Sequence, residues 1–559
     1  MVYEPRHMKW WGWGYEDAEF RATQHPDFWP YAKSVLDIEG DDFTKREWRL
    51  KSIELPEASA DQTFLAKLRT FLAHSQITDD AKERVIHSYG KGFRDLFRVR
   101  CGIATGAPDL IVYPESERDV VLIPFGGGSN IAGCLERMDA RRMCVSLDMR
   151  RMRRVLAVDR GSFTAQIEAG VFGPDLEEKL GAHGMTLGHF PDSFLHSTLG
   201  GWIATRSAGM QSDKYGKIED MVIAIRVVTP EGVLHTRRVP KSSNGIDVKH
   251  LCIGSEGTLG VITEATMRVH ALPESRQVRG YLFPEFDGGI EAMFECVRQE
   301  CMPAMVRLND PDKTALSLAF RTPTSGFTKI AHRLFRTYLR AKGFAQPRAC
   351  LMVTAFEGSS RGVSRRLHQA EAIYQKCGAV SLGADAGKSF EATKYDFPYI
   401  RDFLLDRNVT TDVSETATVW SNITKLYQDT TTALRAEISK SGVRPWVGCH
   451  ISHSYPCGAS LYFTFGLRQQ VGREMEQYLR VKHAVQQSFI DHGATLSHHH
   501  AVGTEHLPWL AADISPVGVQ AISAIKQGLD PANIMNPGRL RPFSTQLEGH
   551  YDICAFDAP

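Results

Sequence analysis

Three consecutive histidines, His498, His499 and His500, stand in the segment SHHHAVG at 497–503, and their side chains could ligate a metal, move protons or hold an anion. Adjacent residues on a helix or a strand point in different directions, so a run of three cannot bind one ion from regular structure. Metal sites more often use an i, i+4 spacing with cysteine or carboxylate partners, and the flanking sequence offers none at ligand spacing. No metal is expected. The run fits a place where backbone and side chains close over a polar group.

Four other segments have the composition of a phosphate cradle. PFGGGSN (124–130) follows an apolar run, and its glycines let backbone N–H groups approach an anion closely. PDSFLHSTLGGWIATRSAG (191–209) is rich in small and hydroxyl residues, DKYGKIEDMV (213–222) follows it, and GSEGTLGVITEAT (254–266) closes the set. None matches a P-loop or a strand–GxGxxG–helix motif, so neither of those nucleotide sites is supported.

The elements that must position these residues read as an α+β chain of several parts. At 559 residues the chain exceeds one ordinary core. Residues 1–100 read as a helical, loop-rich extension whose MKWWGWG (8–14) forms an aromatic plug. Residues 101–273 alternate short β-branched runs with glycine-rich turns, with PDLEEKLGAHG (174–184) as an intervening helix. Residues 274–470 read strand, helix, strand, helix, ending in two strands within WVGCHISHSYPCGASLYFTF, an arrangement that suits an antiparallel sheet. Residues 471–559 read as a helical tail that carries the histidines.

Composition narrows the class of function. Lys plus Arg is 66 and Asp plus Glu is 65, a net of +1 that gives no reason to expect nucleic acid as a partner. Eleven dispersed cysteines without a CxxC pair suggest reduced thiols. No apolar stretch is long enough for a membrane helix, no signal-peptide core is seen, and the last residues, DAP, are not a peroxisomal SKL address. The expectation is a cytoplasmic enzyme, with a peroxisomal location as the alternative.

In this order, PFGGGSN, PDS…STLGGW, YGKIEDMV and GSEGTLGVITEA resemble the FAD-binding domain of vanillyl-alcohol oxidase type flavoproteins, and DPANIMNPG (530–538) is typical of them. MKWWGWG, SHHHAVG, HSYPCGASLYFTF (453–465), AMVRLND (304–310), YIRD (399–402) and SETATVW (414–420) resemble segments of the alkyldihydroxyacetonephosphate synthases, a likeness that runs from about residue 8 to 540. The resemblance implies a two-domain fold, an FAD-binding domain of the vanillyl-alcohol oxidase/p-cresol methylhydroxylase type plus a cap. It implies non-covalent FAD in a redox-neutral exchange of the acyl chain of acyl-dihydroxyacetone phosphate for a long-chain fatty alcohol. Contact with a membrane surface and a homodimer are the associations it leaves open. The alternative on the same scaffold is an FAD-linked dehydrogenase of 2-hydroxy acids such as D-lactate or glycolate. A further alternative is a relative that has lost its flavin and its activity.

The same resemblance assigns roles. Tyr455 matches an acid/base tyrosine, Arg401 a substrate-binding arginine suited to phosphate, and Arg307 another arginine needed for activity. A phenol needs cationic neighbours to act near neutral pH, and His498, His499 and His500 are expected to supply them and to hold the substrate's anionic groups. FAD is expected against Pro124, Phe125, Gly126, Gly127, Gly128, Ser129 and Asn130. The second segment contributes Pro191, Asp192, Ser193, Ser197, Thr198, Gly200, Gly201, Ala204, Thr205, Arg206 and Ser207. The third set is Glu256, Gly257, Thr258, Leu259, Gly260, Val261 and Ile262.

Three departures from the family pattern stand out. Only nine residues (115–123) separate YP from PFGGG, too few for a crossover helix and a return strand. Either the first βαβ unit is truncated or its strands pair differently. The tyrosine is followed by Pro456 and Cys457, and Ala501 replaces a glycine, which would be costly if that position needs a positive φ.

Overall fold

The computed structural model describes residues 7–40, 48–115, 123–139, 142–320, 344 and 348–540. Three sheets organise it. The first contains β1 (Ile77–Thr78), β2 (Leu110–Val112), β3 (Ile123–Phe125) and β4 (Val145–Asp148) in the order β1-β2-β4-β3. Strands β2 and β3 are not neighbours; both run parallel to β4, one on each side. Most of the nine-residue connection itself (116–122) lies outside the described residues.

The second sheet is antiparallel, in the order β5-β6-β10-β8-β9, from β5 (Val155–Asp159), β6 (Thr164–Glu168), β8 (Val222–Thr229), β9 (Gly232–His235) and β10 (Val261–Arg268). A ribbon of β7 (Met185–Thr186) and β11 (His270–Ala271) lies beside it. The expected intervening helix is Gly173–Gly181, with proline in its first turn and Gly184 at φ 71° just beyond its end. Its buried face, Leu176 and Leu180, packs with Leu199, Trp202 and Ile203 of the next helix.

The third sheet is fully antiparallel. It takes β12 (Ser275–Phe283), β13 (Met305–Asn309), β14 (Cys350–Gly358), β15 (Val380–Leu382), β16 (Val409–Val419), β17 (Trp446–Tyr455) and β18 (Gly458–Arg468) in the order β15-β12-β14-β13-β17-β18-β16. Helices Phe286–Arg298, Ser360–Lys376, Ile423–Ser439 and Glu474–Asp491 supply residues to its largest apolar core. In β14 every residue but the last is buried, Thr354 and Glu357 included.

The first hundred residues are shared between these bodies. Strand β1 joins the first sheet, and helix Phe28–Leu36 packs on helix Pro311–Ala319 and on β18. Within MKWWGWG, Trp10 and Trp13 are buried. The Trp13 N–H donates to Asp402 Oδ2 at 2.8 Å, and its ring meets His196 edge-on at 4.7 Å, so the aromatic plug touches both halves of the molecule. Among the described residues no helix is long and apolar enough to cross a membrane.

Candidate active site

The three histidines lie in neither helix nor strand but in a loop between helices Glu474–Asp491 and Leu510–Leu529. The polar group they close over is the carboxylate of Glu415, on β16. It is fully buried and accepts from the Ser497 hydroxyl at 2.5 Å and from the backbone N–H groups of His498 (2.7 Å), His499 (3.1 Å) and His500 (2.9 Å). Burial alone would raise its pKa, but His499 and His500, with Nδ1 atoms 3.3 and 3.6 Å away, hold it well below the usual carboxylate range.

A second carboxylate completes the clamp. Glu256 accepts from the N–H groups of Val502 (2.7 Å) and Gly503 (3.0 Å). The loop carbonyls are held as well: His498 O by Lys217 Nζ at 2.5 Å, His500 O by the Asn130 amide at 3.2 Å and Ala501 O by His506 at 2.7 Å. Ala501 has φ 74°, so the position does require the left-handed conformation, and the alanine adopts it within this set of bonds. Asn130, Lys217 and Glu256 belong to three of the glycine-rich segments, so those segments build the histidine loop as well as a cofactor cradle. The DPANIMNPG tail braces the same place. Lys526, from the helix that leads into it, donates to Met535 O at 2.6 Å and to Thr258 O at 2.7 Å, and the Asn536 amide donates to Glu256 O at 2.7 Å.

Tyr455 ends β17, and its hydroxyl meets His498 Nε2 at 2.6 Å; His498 Nδ1 meets His499 Nδ1 at 2.9 Å. Glu415 beside His499 favours an Nδ1–H there, which donates to His498 Nδ1 and leaves His498 Nε2–H to donate to the tyrosine oxygen. For His498 and His500 the expectation of a cationic ring is overturned. Burial, with Lys217 and the neighbouring histidines, holds His498 well below the ordinary histidine range, and burial does the same to His500. Burial, with Asp213 and Glu219 nearby, raises the Tyr455 phenol. Tyr455 and His498 are thus a neutral, hydrogen-bonded pair.

A single cavity of about 350 Å³ connects the predicted residues. One wall is Pro124 to Asn130 with Pro191, Asp192, Ser193, Ser197, Thr198, Gly200, Gly201, Ala204, Thr205 and Ser207. Glu256, Gly257, Gly260 and Ile262 extend it. Four predicted cofactor residues do not reach it. Arg206 ends a helix at φ 53° and points to Glu219 at 3.6 Å. The Thr258 hydroxyl donates to Ser255 O at 2.7 Å, while Leu259 is buried and Val261 packs into the apolar core behind the first sheet. The sequence pattern does not separate the inward from the outward residues of these turns. His499, His500, Arg307 and Arg401 line the cavity, whereas Tyr455 and His498 stand one step behind its wall.

The opposite wall is apolar, with Phe28, Leu36, Leu316, Ile400, Leu404 and Trp446 drawn from one hydrophobic cluster. Between the two walls stand the cations. Arg307 lies 3.3 Å from His450 Nδ1, and Arg401, 9% exposed, lies 3.5 Å from Asp412. Lys313, which the sequence reading missed, is fully buried with its Nζ unpartnered among the described residues and 4.6 Å above the Phe397 ring. Burial and Arg307 push its pKa down to about 7. Sequence reading also passed over Glu415, although SETATVW contains it, because a carboxylate in a strand gives no local sign that a distant loop will wrap it.

The cradle fits a dinucleotide. A Cβ on Gly127 would stand 1.8 Å from His196 O, and one on Gly126 2.3 Å from Thr198 Oγ1, so the two turns pack at backbone distance. Thr198 Oγ1 faces the cavity, buried and unpartnered among the described residues. Residues 109–237 match the family "FAD binding domain", and 272–540 match "FAD linked oxidases, C-terminal domain". An alkyldihydroxyacetonephosphate synthase of Dictyostelium discoideum is 40% identical over 507 residues, covering 88% of this chain and 83% of that one. The chain belongs to the alkyldihydroxyacetonephosphate synthase family. A solved synthase structure superposes with a TM-score of 0.84 at 36% identity, over 96% of this chain and all of that one. A p-cresol methylhydroxylase structure, 15% identical and covering 87% of this chain and 98% of its own, shares the fold with a TM-score of 0.63. The chain is thus a two-domain α+β flavoprotein with an FAD-binding and a cap portion.

Proposed function

We propose that this member of the family exchanges the acyl chain of acyl-dihydroxyacetone phosphate for a long-chain fatty alcohol, with FAD held by non-covalent contacts. The observation that carries this reading is the layout of the cavity: a glycine-lined cradle, a central group of cations and an apolar far wall. Bound FAD supplies an electron-pair sink and nucleophile in a cycle without net redox change. Arg307, Arg401 and Lys313 hold the phosphate, the arginines through their forked donors and the lysine as a point charge. The apolar wall receives the fatty chain, and its length excludes water from the reacting carbon. His499 at the cavity wall, His498 behind it and Tyr455 beyond form a proton path in which each atom lies within hydrogen-bond reach of the next. Substrates of this kind reside in membranes, so the open side of the cavity would meet a lipid surface.

The test is to incubate the flavin-loaded protein with acyl-dihydroxyacetone phosphate and an isotopically labelled fatty alcohol, then analyse the lipid product. Label retained in an alkali-stable ether product, with stoichiometric fatty acid released, is expected. Anaerobic bleaching of the flavin by D-lactate with no ether product would establish the dehydrogenase instead. Acid precipitation should release all flavin into the supernatant.

A further inference from the structure

The histidine loop has a fourth member that sequence could not place beside it. His453 comes from β17, where a register shift between Ser452 and Ser454 forms a bulge, and it takes φ 51°. That conformation is rare for a histidine and turns the ring to the cavity wall. Its ring stacks on His498 with centroids 5.2 Å apart and meets His499 edge-on at 5.5 Å. It is 7% exposed, and its Nδ1 is buried without a partner among the described residues.

One ligating nitrogen each from His453, His498 and His499 lies within 4.8 Å of the others. Zinc bound at about 2.1 Å in a tetrahedron needs its nitrogen ligands roughly 3.4 Å apart. The His498 and His499 Nδ1 atoms are at 2.9 Å, so that pair has to open by about 0.5 Å while His453 closes on it. We propose that His453, His498 and His499 form an inhibitory site for a borderline-soft divalent cation, with zinc the best-suited ion and the fourth position open to the cavity.

Binding forms three nitrogen–metal bonds and breaks the His498–His499 hydrogen bond. The His499 proton moves from Nδ1 to Nε2, so no net proton is released. The proton path to Tyr455 is cut at that point. Metal capture stands on the geometry of the three rings; loss of turnover additionally rests on the function proposed above, and the two are read separately.

The flavin-loaded protein would be equilibrated with zinc chloride and dialysed, and its metal content, zinc-edge X-ray absorption and turnover measured. One zinc per chain with nitrogen scatterers from imidazole and an oxygen from water in the fourth position is expected, with turnover falling at least tenfold as the site fills. His453→Asn keeps a residue that tolerates a positive φ and should lose the bound zinc and its inhibition while retaining FAD. Sulfur scatterers would place the ion on the cysteines and overturn the assignment. So would the absence of stoichiometric zinc from the parent protein, or undiminished binding in a flavin-replete His453→Asn protein. Stoichiometric imidazole-bound zinc with unchanged turnover would keep the site and refute the inhibition.

Discussion

Replacing Glu415 with glutamine tests whether one buried carboxylate assembles the histidine loop. The Glu415 side accepts from Ser497, His498, His499 and His500, and its Oε2 serves the His498 N–H and faces His499 Nδ1. In the amide, one oxygen keeps the Oε1 set, and the –NH2 group confronts the His498 N–H. A hydrogen bond to a charged group contributes about 1.5–3 kcal/mol, and a buried donor left without an acceptor costs about 1–3 kcal/mol. Taking about 3 kcal/mol as the net loss in loop placement, turnover should fall roughly 100-fold. Flavin content should stay near that of the parent, because the glycine cradle does not depend on Glu415. The assay is steady-state ether-lipid formation at saturating substrate, paired with the flavin-to-protein ratio. A fully loaded Glu415→Gln enzyme within threefold of the parent turnover would refute the reasoning, and loss of flavin would show that loop and cradle fold as one unit.

Tyr455→Phe removes the end of the proton path while keeping the ring, so turnover should drop by about 10²–10⁴-fold with flavin retained. Gly127→Ala puts a methyl 1.8 Å from His196 O, and the purified protein should lose most of its flavin absorbance. Lys313, pushed down to about 7, is cationic below that pH and binds the phosphate best there. Substrate binding holds its proton and raises its pKa in the complex, so KM should climb as pH rises from 7 to 9, a range in which the phosphate, with a second pKa of about 6, is already a dianion. Lys313→Met should have a higher KM at pH 7 and a flat profile.

Much of this was legible because the informative residues are contiguous. The glycine turns, the strand runs of the cap and the histidine triplet are each read within ten residues, and the structure places them around one cavity. What sequence missed is assembled across long separations. His453 lies 45 residues from His498, and Glu415 lies 83 residues from it. Their roles depend on a bulge and on strand order, which no local pattern encodes. The charge of His498 and His500 was misread for the same reason. Exposed histidines beside a carboxylate would gain protons, but burial reverses the sign, and burial is a property of the packed fold.

The bond from the Trp13 N–H to Asp402 joins residues 389 positions apart, and this sets an order for biosynthesis. At about 5–20 residues per second a ribosome needs roughly 20–80 s to reach the partner of a segment it has already released. The tryptophan-rich segment has its apolar partners at residues 85–125 well before then, but the bond that seats Trp13 between the two halves forms only once Asp402 is made. The first part of the chain to be made is therefore tied down in two stages, and a nascent chain cut short before Asp402 lacks the second.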